Sequence, residues 1–90
     1  MARTAIVTGS TSGIGEGIAR ALAASGCNVV INGFGDPAAI EKIRTSIEAE
    51  HKVKCLYIGA DMTRPADIEA MFATTREKLG PVDIVVNNAG

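Results

Sequence analysis

The sequence predicts an α/β fold in which three helices cover a parallel four-stranded sheet of order 3-2-1-4, forming three layers. Short apolar segments rich in β-branched residues alternate along the chain with segments of helical periodicity. The last segment, 82–86, is almost continuously apolar, which is typical of a parallel strand covered on both faces. Right-handed crossovers place the first three strands in order, and a fourth strand returning to the far side of the first gives the predicted sheet.

Size and composition bound the possibilities. Ninety residues form at most one small domain, and 47% hydrophobic residues with only two phenylalanines and one tyrosine require an aliphatic core. The net charge of −1, with acidic and basic residues interspersed, argues against nucleic acid or an anionic membrane as partner. The sequence contains neither a signal-peptide pattern nor an apolar run that could span a bilayer, so a cytoplasmic protein is expected.

The first strand is predicted over 4–8. The first helix begins near Gly13, and Gly26 is a plausible C′ stop. The spacing predicts that one face of this helix packs on the sheet. The predicted face comprises Ile14, Ile18, Ala21 and Leu22.

The second strand is predicted over 28–32, and the second helix follows with Asp36 as a candidate N-cap and Pro37 at its first position. The apolar stripe of this helix is Ile40, Ile43 and Ile47.

A third strand over 53–58 leads to a helix that begins near Thr63 or Arg64, has Pro65 in its first turn and ends at Gly80. The predicted stripe of this helix is Ile68, Met71, Phe72, Thr75 and Leu79.

A glycine-rich turn follows the first strand, with Gly9, Gly13 and Gly15 between strand and helix. Gly9 permits a tight turn, Gly13 lets a phosphate approach the backbone, and Gly15 permits close helix–strand packing. Thr11 and Ser12, with Ser10, add hydroxyl donors, and the helix N-terminus offers unpaired N–H groups to an anion. This context predicts a Rossmann-like, nucleotide-binding fold.

The predicted topology places residues 8–15 and 87–90 together. The winding reverses between the first and fourth strands, and ligands bind at the carboxyl ends of the strands at such a point. One face has two helices and the other one, and the outer edge of the fourth strand has no predicted neighbour. We therefore expect residues 1–90 to be the N-terminal part of a single dinucleotide-binding domain, truncated from a longer protein.

Two motifs together resemble the short-chain dehydrogenase/reductase family. They are Thr-Gly-x-x-x-Gly-Ile-Gly at 8–15 and Asn-Asn-Ala-Gly at 87–90. The run Asn-Gly-Phe-Gly-Asp at 32–36, followed by Ile-Glu-Lys at 40–42, is similar to the bacterial D-3-hydroxybutyrate dehydrogenase subfamily. The resemblance implies an NAD-dependent oxidoreductase, commonly a homotetramer, that in its intact form oxidises a 3-hydroxy acid (3-hydroxybutyrate to acetoacetate).

The cofactor is predicted to be NAD rather than NADP. Residues 28–41 contain no lysine or arginine that could neutralise a 2′-phosphate. Asp36 is placed either to bind the ribose or only to cap the second helix.

The resemblance also assigns roles to residues around the cleft. It implies that Asp61 reads the adenine edge, with Met62 contributing its backbone, and that Phe34 lies near the adenosine. A cap on the third helix for Asp61 and loop packing for Phe34 are the alternatives. Asn88 to Gly90 would line the ribose and nicotinamide, while Asn87 would hold neighbouring strands together. The predicted cofactor-binding residues are Gly9, Thr11, Ser12, Gly13, Ile14, Gly15, Phe34, Asp61, Met62, Asn88, Ala89 and Gly90.

No catalytic residue and no metal ligand is predicted. In the family a Ser and a Tyr-x-x-x-Lys motif act on the substrate, but four residues after Tyr57, the only tyrosine, comes Asp61. We therefore expect the chain alone to be inactive. Cys27 and Cys55 lack metal-ligand spacing and are predicted to be buried, and His51 is predicted at the surface.

Two other functions stay open at this point. One is a free-standing, catalytically inactive nucleotide-binding module or an inert fragment. The other is a Rossmann-like domain of a different class, such as a methyltransferase.

Overall fold

The computed structural model describes residues 2–88 and contains a parallel sheet of order β3-β2-β1-β4, as predicted. The strands and helices come within one or two residues of the predicted bounds, the range over which element ends fray. The elements in chain order are β1 (Thr4–Val7), α1 (Gly13–Ala24), β2 (Asn28–Ile31), α2 (Pro37–His51), β3 (Cys55–Tyr57), α3 (Pro65–Leu79) and β4 (Ile84–Val86).

The sheet is buried on both faces at its centre. In register, Ile6 of β1 lies between Val30 of β2 and Val85 of β4. Alternate side chains point to opposite faces, so β1 and β2 supply two separate apolar clusters. One cluster packs against α1 and α2 and includes Val7 and Ile31, whereas the other packs against α3 and includes Ile6 and Val30.

Helix α1 turns a different face to the sheet from the one predicted. Ile14 is 78% exposed and Ala21 is exposed as well, while Ile18 and Leu22 pack against the core only in part. The buried residues of this helix are Gly15, Ala19 and Ala23. Small residues at this spacing let the helix backbone approach the sheet closely. The close packing of this face is favoured over burial of the larger apolar side chains on which the prediction was based.

The starts and stripes of the other two helices confirm the predictions. Asp36 caps α2 by accepting a hydrogen bond from the Ala39 N–H at 3.1 Å, and Pro37 follows at the first helical position. Arg64 is the N-cap of α3, with Pro65 next to it. The predicted stripes are buried or half-buried along their lengths, and the fully buried members are Ile40, Ile47, Met71 and Thr75.

Polar side chains fasten α2 to its neighbours. Arg20 of α1 donates to Glu50 at 3.1 Å and to Ser46 at 3.0 Å. Glu48 accepts from the Cys55 backbone N–H at 3.0 Å, and Arg44 donates to the Cys55 carbonyl oxygen at 3.2 Å. These bonds hold α1, α2 and β3 in one unit.

Cys27 and Cys55 are free and buried, as predicted, and His51 is half-buried at the end of α2. Val85 of β4 is 47% exposed, although its register neighbour Ile6 lies in the apolar cluster beneath α3. Between residues 2 and 88, no cluster of His, Cys, Asp and Glu could hold a metal ion, and no helix is long and apolar enough to cross a membrane.

Candidate functional site

A cleft of roughly 530 Å³ opens where β1, β2 and β3 end. Its walls are the turn after β1, the segment after β2 and the loop after β3, as expected for ligand binding at the carboxyl ends of parallel strands. The lining residues are Gly9, Thr11, Ser12, Asn32, Gly33, Phe34, Ala60, Asp61, Met62 and Thr63. Six of the predicted cofactor-binding residues are among them.

The turn after β1 needs glycine because its backbone has positive φ angles and because no side chain then blocks access to it. Gly9 and Gly13 have φ of +61° and +59°, a region that other residues rarely adopt. A Cβ atom at Gly13 would meet nothing within 4 Å, so this backbone is open to a ligand. Gly13, Ile14 and Gly15 do not line the cleft itself but form the first turn of α1 beside it.

The N-terminus of α1 is available to an anion. Its N-cap, Ser12, makes no side-chain cap bond within the described part of the chain, whereas α2 is capped by the Asp36 carboxylate. An uncapped helix start leaves backbone N–H groups and the positive end of the helix dipole without an internal partner. A phosphate group satisfies both.

Asn88 joins the segment after β4 to the turn after β1. Its backbone N–H donates to Thr8 Oγ1 at 3.0 Å, and its Nδ2 donates to the Gly9 carbonyl oxygen at 3.1 Å. The linking amide predicted for Asn87 is thus found one residue later, and Asn87 is exposed. The predicted roles of Ala89 and Gly90 lie outside the described residues.

Asn32 lines the cleft, although the sequence predicted no role for its side chain. It is buried, and its Nδ2 donates to the carbonyl oxygens of Ile58 and Ala60, both at 2.9 Å. Its Oδ1 accepts from the Gly9 N–H at 3.3 Å. One side chain therefore holds all three walls of the cleft. The signals for it in the sequence were a polar residue directly after an apolar strand and its place at the start of the Asn-Gly-Phe-Gly-Asp run.

Asp61 presents a carboxylate to the cleft. Its Oδ1 accepts from the Thr63 hydroxyl at 2.7 Å and from the Thr63 N–H at 2.9 Å. These two hydrogen bonds lower the pKa of the Asp61 carboxyl and keep it ionised at neutral pH. Asp61 does not cap α3, since that position belongs to Arg64. Met62 follows Asp61 and packs partly against the α3-side core.

The described residues that line the cleft include no positively charged side chain. Asp61 is the one ionisable group among the lining residues in the described part of the chain. Phe34 lies at the same cleft and is 72% exposed. The walls thus offer backbone N–H groups to an anion, a carboxylate acceptor and an aromatic ring.

Comparison with known proteins agrees with this architecture. The family model described as short chain dehydrogenase matches residues 3–90. D-beta-hydroxybutyrate dehydrogenase of Rhizobium meliloti is 47% identical over the whole chain, which covers 35% of that protein. The enzyme of the same name from Cupriavidus necator is 50% identical over 98% of the chain, which covers 33% of it. The chain thus spans about a third of the length of these curated relatives.

A solved structure agrees as well. L-sorbose reductase of Gluconobacter frateurii, complexed with NADPH and L-sorbose, superposes with a TM-score of 0.90 at 31% identity. The match covers 99% of this chain and 34% of that one. With its sheet order, its glycine-rich turn and the match over residues 3–90, the chain belongs to the short-chain dehydrogenase family.

Proposed function

We propose that this chain is the NAD(H)-binding portion of a short-chain oxidoreductase, and that residues 1–90 form the N-terminal part of one dinucleotide-binding domain. The observation that carries the proposal is the cleft at the ends of β1, β2 and β3, beside the uncapped start of α1. An extended ligand with a central anion and an aromatic base matches these walls.

Each part of the cleft has a proposed role toward the cofactor. The turn from Gly9 to Gly15 would hold the diphosphate, with the Ser12 hydroxyl beside it. Thr11 would line the turn, because its hydroxyl already donates to the Phe34 carbonyl oxygen. Asp61 would accept a hydrogen bond from the exocyclic amine of adenine, because an ionised carboxylate only accepts. Phe34 would contact the adenosine, and the segment from Asn88 to Gly90 would meet the nicotinamide side. The chemistry that a bound nicotinamide supplies is hydride transfer at a substrate carbon.

NAD is proposed as the cofactor in preference to NADP because of the charge of the cleft. A 2′-phosphate would enter a cleft in which Asp61, a negative group, is the only ionisable residue among those that line it within 2–88. Desolvating that phosphate without a counter-charge is costly. L-sorbose reductase, a relative of the same fold, is complexed with NADPH. The fold itself therefore does not decide between NAD and NADP, and the affinity of this chain for each must be measured.

The substrate of the intact protein is proposed to be 3-hydroxybutyrate, oxidised to acetoacetate. The support is the identity of 47–50% to two D-beta-hydroxybutyrate dehydrogenases, confined to about a third of their length. The sequence holds no Tyr-x-x-x-Lys, and Tyr57 is bonded to the Gly33 carbonyl within the fold. The 90-residue chain alone is therefore proposed to bind cofactor without turning over substrate.

Calorimetric titration of the chain with NAD, NADP and S-adenosylmethionine tests the cofactor proposal. NAD is expected to bind at least tenfold more tightly than NADP, a difference of about 1.4 kcal/mol. Tighter binding of NADP would overturn the cofactor choice, and preference for S-adenosylmethionine would overturn the proposed class. The family match already argues against a methyltransferase.

The second candidate function is a nucleotide-binding module without catalysis, with which residues 1–90 are compatible because they form a nucleotide-binding fold and contain no Tyr-x-x-x-Lys. The coding sequence after Gly90 discriminates the two. A downstream Ser and Tyr-x-x-x-Lys, together with NAD-dependent oxidation of 3-hydroxybutyrate by the intact protein, would support the enzyme. An in-frame stop would support the module. The cytoplasmic location expected from the sequence and the tetramer implied by the family resemblance stay predictions.

A further inference from the structure

The hydroxyl of Tyr57 is bonded to the loop that carries Phe34. Tyr57 ends β3, and its Oη donates to the Gly33 carbonyl oxygen at 2.6 Å. Gly59 leaves room for the phenol, since a Cβ there would lie 2.7 Å from the Tyr57 hydroxyl. The tyrosine ring is part of neither apolar cluster. The hydroxyl thus makes a specific contact from one strand to the loop of the next.

The same loop is held from its other side by Thr11. The Thr11 hydroxyl donates to the Phe34 carbonyl oxygen at 3.2 Å. Gly33 has a φ of +148°, and a Cβ on it would lie 2.5 Å from Thr11 Oγ1. The Gly33–Phe34 segment is therefore fixed between two hydroxyls, one from β3 and one from the glycine-rich turn.

Packing does not fix the Phe34 ring, because Phe34 is 72% exposed at the cleft. Its position follows from the backbone that carries it. We infer that Tyr57 is a positioning residue for cofactor binding: its hydroxyl fixes the Gly33 carbonyl and so places the Phe34 ring against the adenosine end of the cleft. This inference rests on the proposed function, in which the cleft takes a dinucleotide.

The substitution Tyr57→Phe removes the hydroxyl and keeps the ring. AMP and NMN represent the two halves of the cofactor and are titrated by NMR alongside NAD. The variant is expected to bind AMP and NAD about fivefold more weakly, the effect of one lost hydrogen bond, and to bind NMN as before. Thr45→Val is the matched control, because it removes an α2 hydroxyl that donates to Glu41 away from the cleft.

A double-mutant cycle with Phe34→Ala separates positioning from general stability. If Tyr57 acts through the ring of Phe34, Tyr57→Phe has no further effect on AMP affinity once the ring is absent. Equal losses for AMP and NMN, or an equal loss in both backgrounds, would overturn the inference. If the wild type binds NAD and Tyr57→Phe leaves the affinities for AMP and NAD unchanged, the inference alone is overturned. Failure of the wild type to bind NAD overturns the proposed function and the inference together.

Discussion

The side-chain amide of Asn88 donates to the carbonyl oxygen of Gly9 at 3.1 Å, and this hydrogen bond joins the segments that follow β1 and β4. Gly15 lies directly beneath it. A Cβ atom at Gly15 would collide with the Gly9 carbonyl oxygen and lie 2.6 Å from Asn88 Nδ2. The glycine-rich turn, the start of α1 and the segment after β4 therefore form one close-packed contact.

Gly15→Ala is expected to destabilise the chain by about 1–3 kcal/mol, because backbone atoms must move to admit the methyl group. The substitution should also weaken NAD binding by shifting the turn. Urea unfolding and NAD titration measure the two effects.

Gly17→Ala is the matched control for Gly15→Ala. Gly17 lies in the same helix, is exposed, and would meet nothing within 4 Å with an added Cβ. Helix propensity predicts a gain of about 0.5–1 kcal/mol in stability. Equal effects of the two substitutions would contradict the role assigned to Gly15.

Asn32→Asp tests the side chain that holds the three cleft walls. The substituted carboxylate would face the carbonyl oxygens of Ile58 and Ala60, to which Asn32 now donates. A buried carboxylate that faces two carbonyl oxygens and keeps only the Gly9 N–H as a donor costs several kcal/mol unless it takes up a proton. Its folded-state pKa is therefore raised above the unfolded value of about 3.9. The variant should lose stability as the pH rises through its raised pKa.

Urea unfolding of wild type and Asn32→Asp at pH 5 and pH 8 checks this expectation. We expect a deficit of about 1–3 kcal/mol at pH 8 and a smaller one at pH 5. A deficit that is the same at both pH values would speak against a buried carboxylate at this site.

Local features of the sequence predicted more of the fold than of the cleft. The cap at Asp36 and the tight turn at Gly9 depend on neighbouring residues, and both formed as predicted. The exposure of Ile14 and the role of Asn32 depend on how closely α1 approaches the sheet and where three loops meet. Such long-range packing leaves no periodic signal in the chain.

Asp36 is expected to act as the cap of α2 and not as a ligand of the ribose. Its carboxylate already accepts from the Ala39 N–H. Asn caps helices as well as Asp does, so Asp36→Asn should change neither stability nor NAD affinity, whereas Asp36→Ala should cost about 1 kcal/mol of stability. Weaker NAD binding by Asp36→Asn would assign the carboxylate to the cofactor instead. Calorimetry and thermal unfolding of both variants decide between these roles.

Cys55 is expected to make the stability of the folded chain fall at alkaline pH. Burial, with a smaller effect of the Glu48 carboxylate, raises the pKa of the Cys55 thiol to about 12 from 9.0. The unfolded chain releases this proton near its ordinary pKa while the folded chain keeps it. The stabilising contribution is therefore complete below pH 9.0 and is lost as the pH rises toward 12, by up to about 1.4 kcal/mol per pH unit.

Unfolding of wild type and Cys55→Ala between pH 8 and pH 11 isolates this effect, because Tyr57 and the lysines are common to both. The stability difference between the two proteins should shrink as the pH rises. A constant difference would show that the thiol ionises equally in the folded and unfolded states. A thiol reagent at pH 8 should accordingly modify Cys55 only as fast as the chain opens.

Val85 is expected to promote self-association of the 90-residue chain. It is 47% exposed on a sheet face that only α3 covers within residues 2–88, and it lies in β4 at one end of the strand order. An apolar strand edge of this kind pairs readily with another chain. Val85→Lys should raise the dissociation constant of self-association about tenfold, since the burial of a valine is lost. Sedimentation velocity over a concentration series measures it.

Val86→Lys is the control for Val85→Lys on the neighbouring residue. Val86 points to the opposite face, where it packs partly against the core beneath α1 and α2. Lysine there should lower the free energy of unfolding, whereas Val85→Lys should leave it nearly unchanged because lysine on an edge strand stays solvated. A wild-type chain that stays monomeric at every concentration would show instead that the exposed edge of β4 is too short to pair.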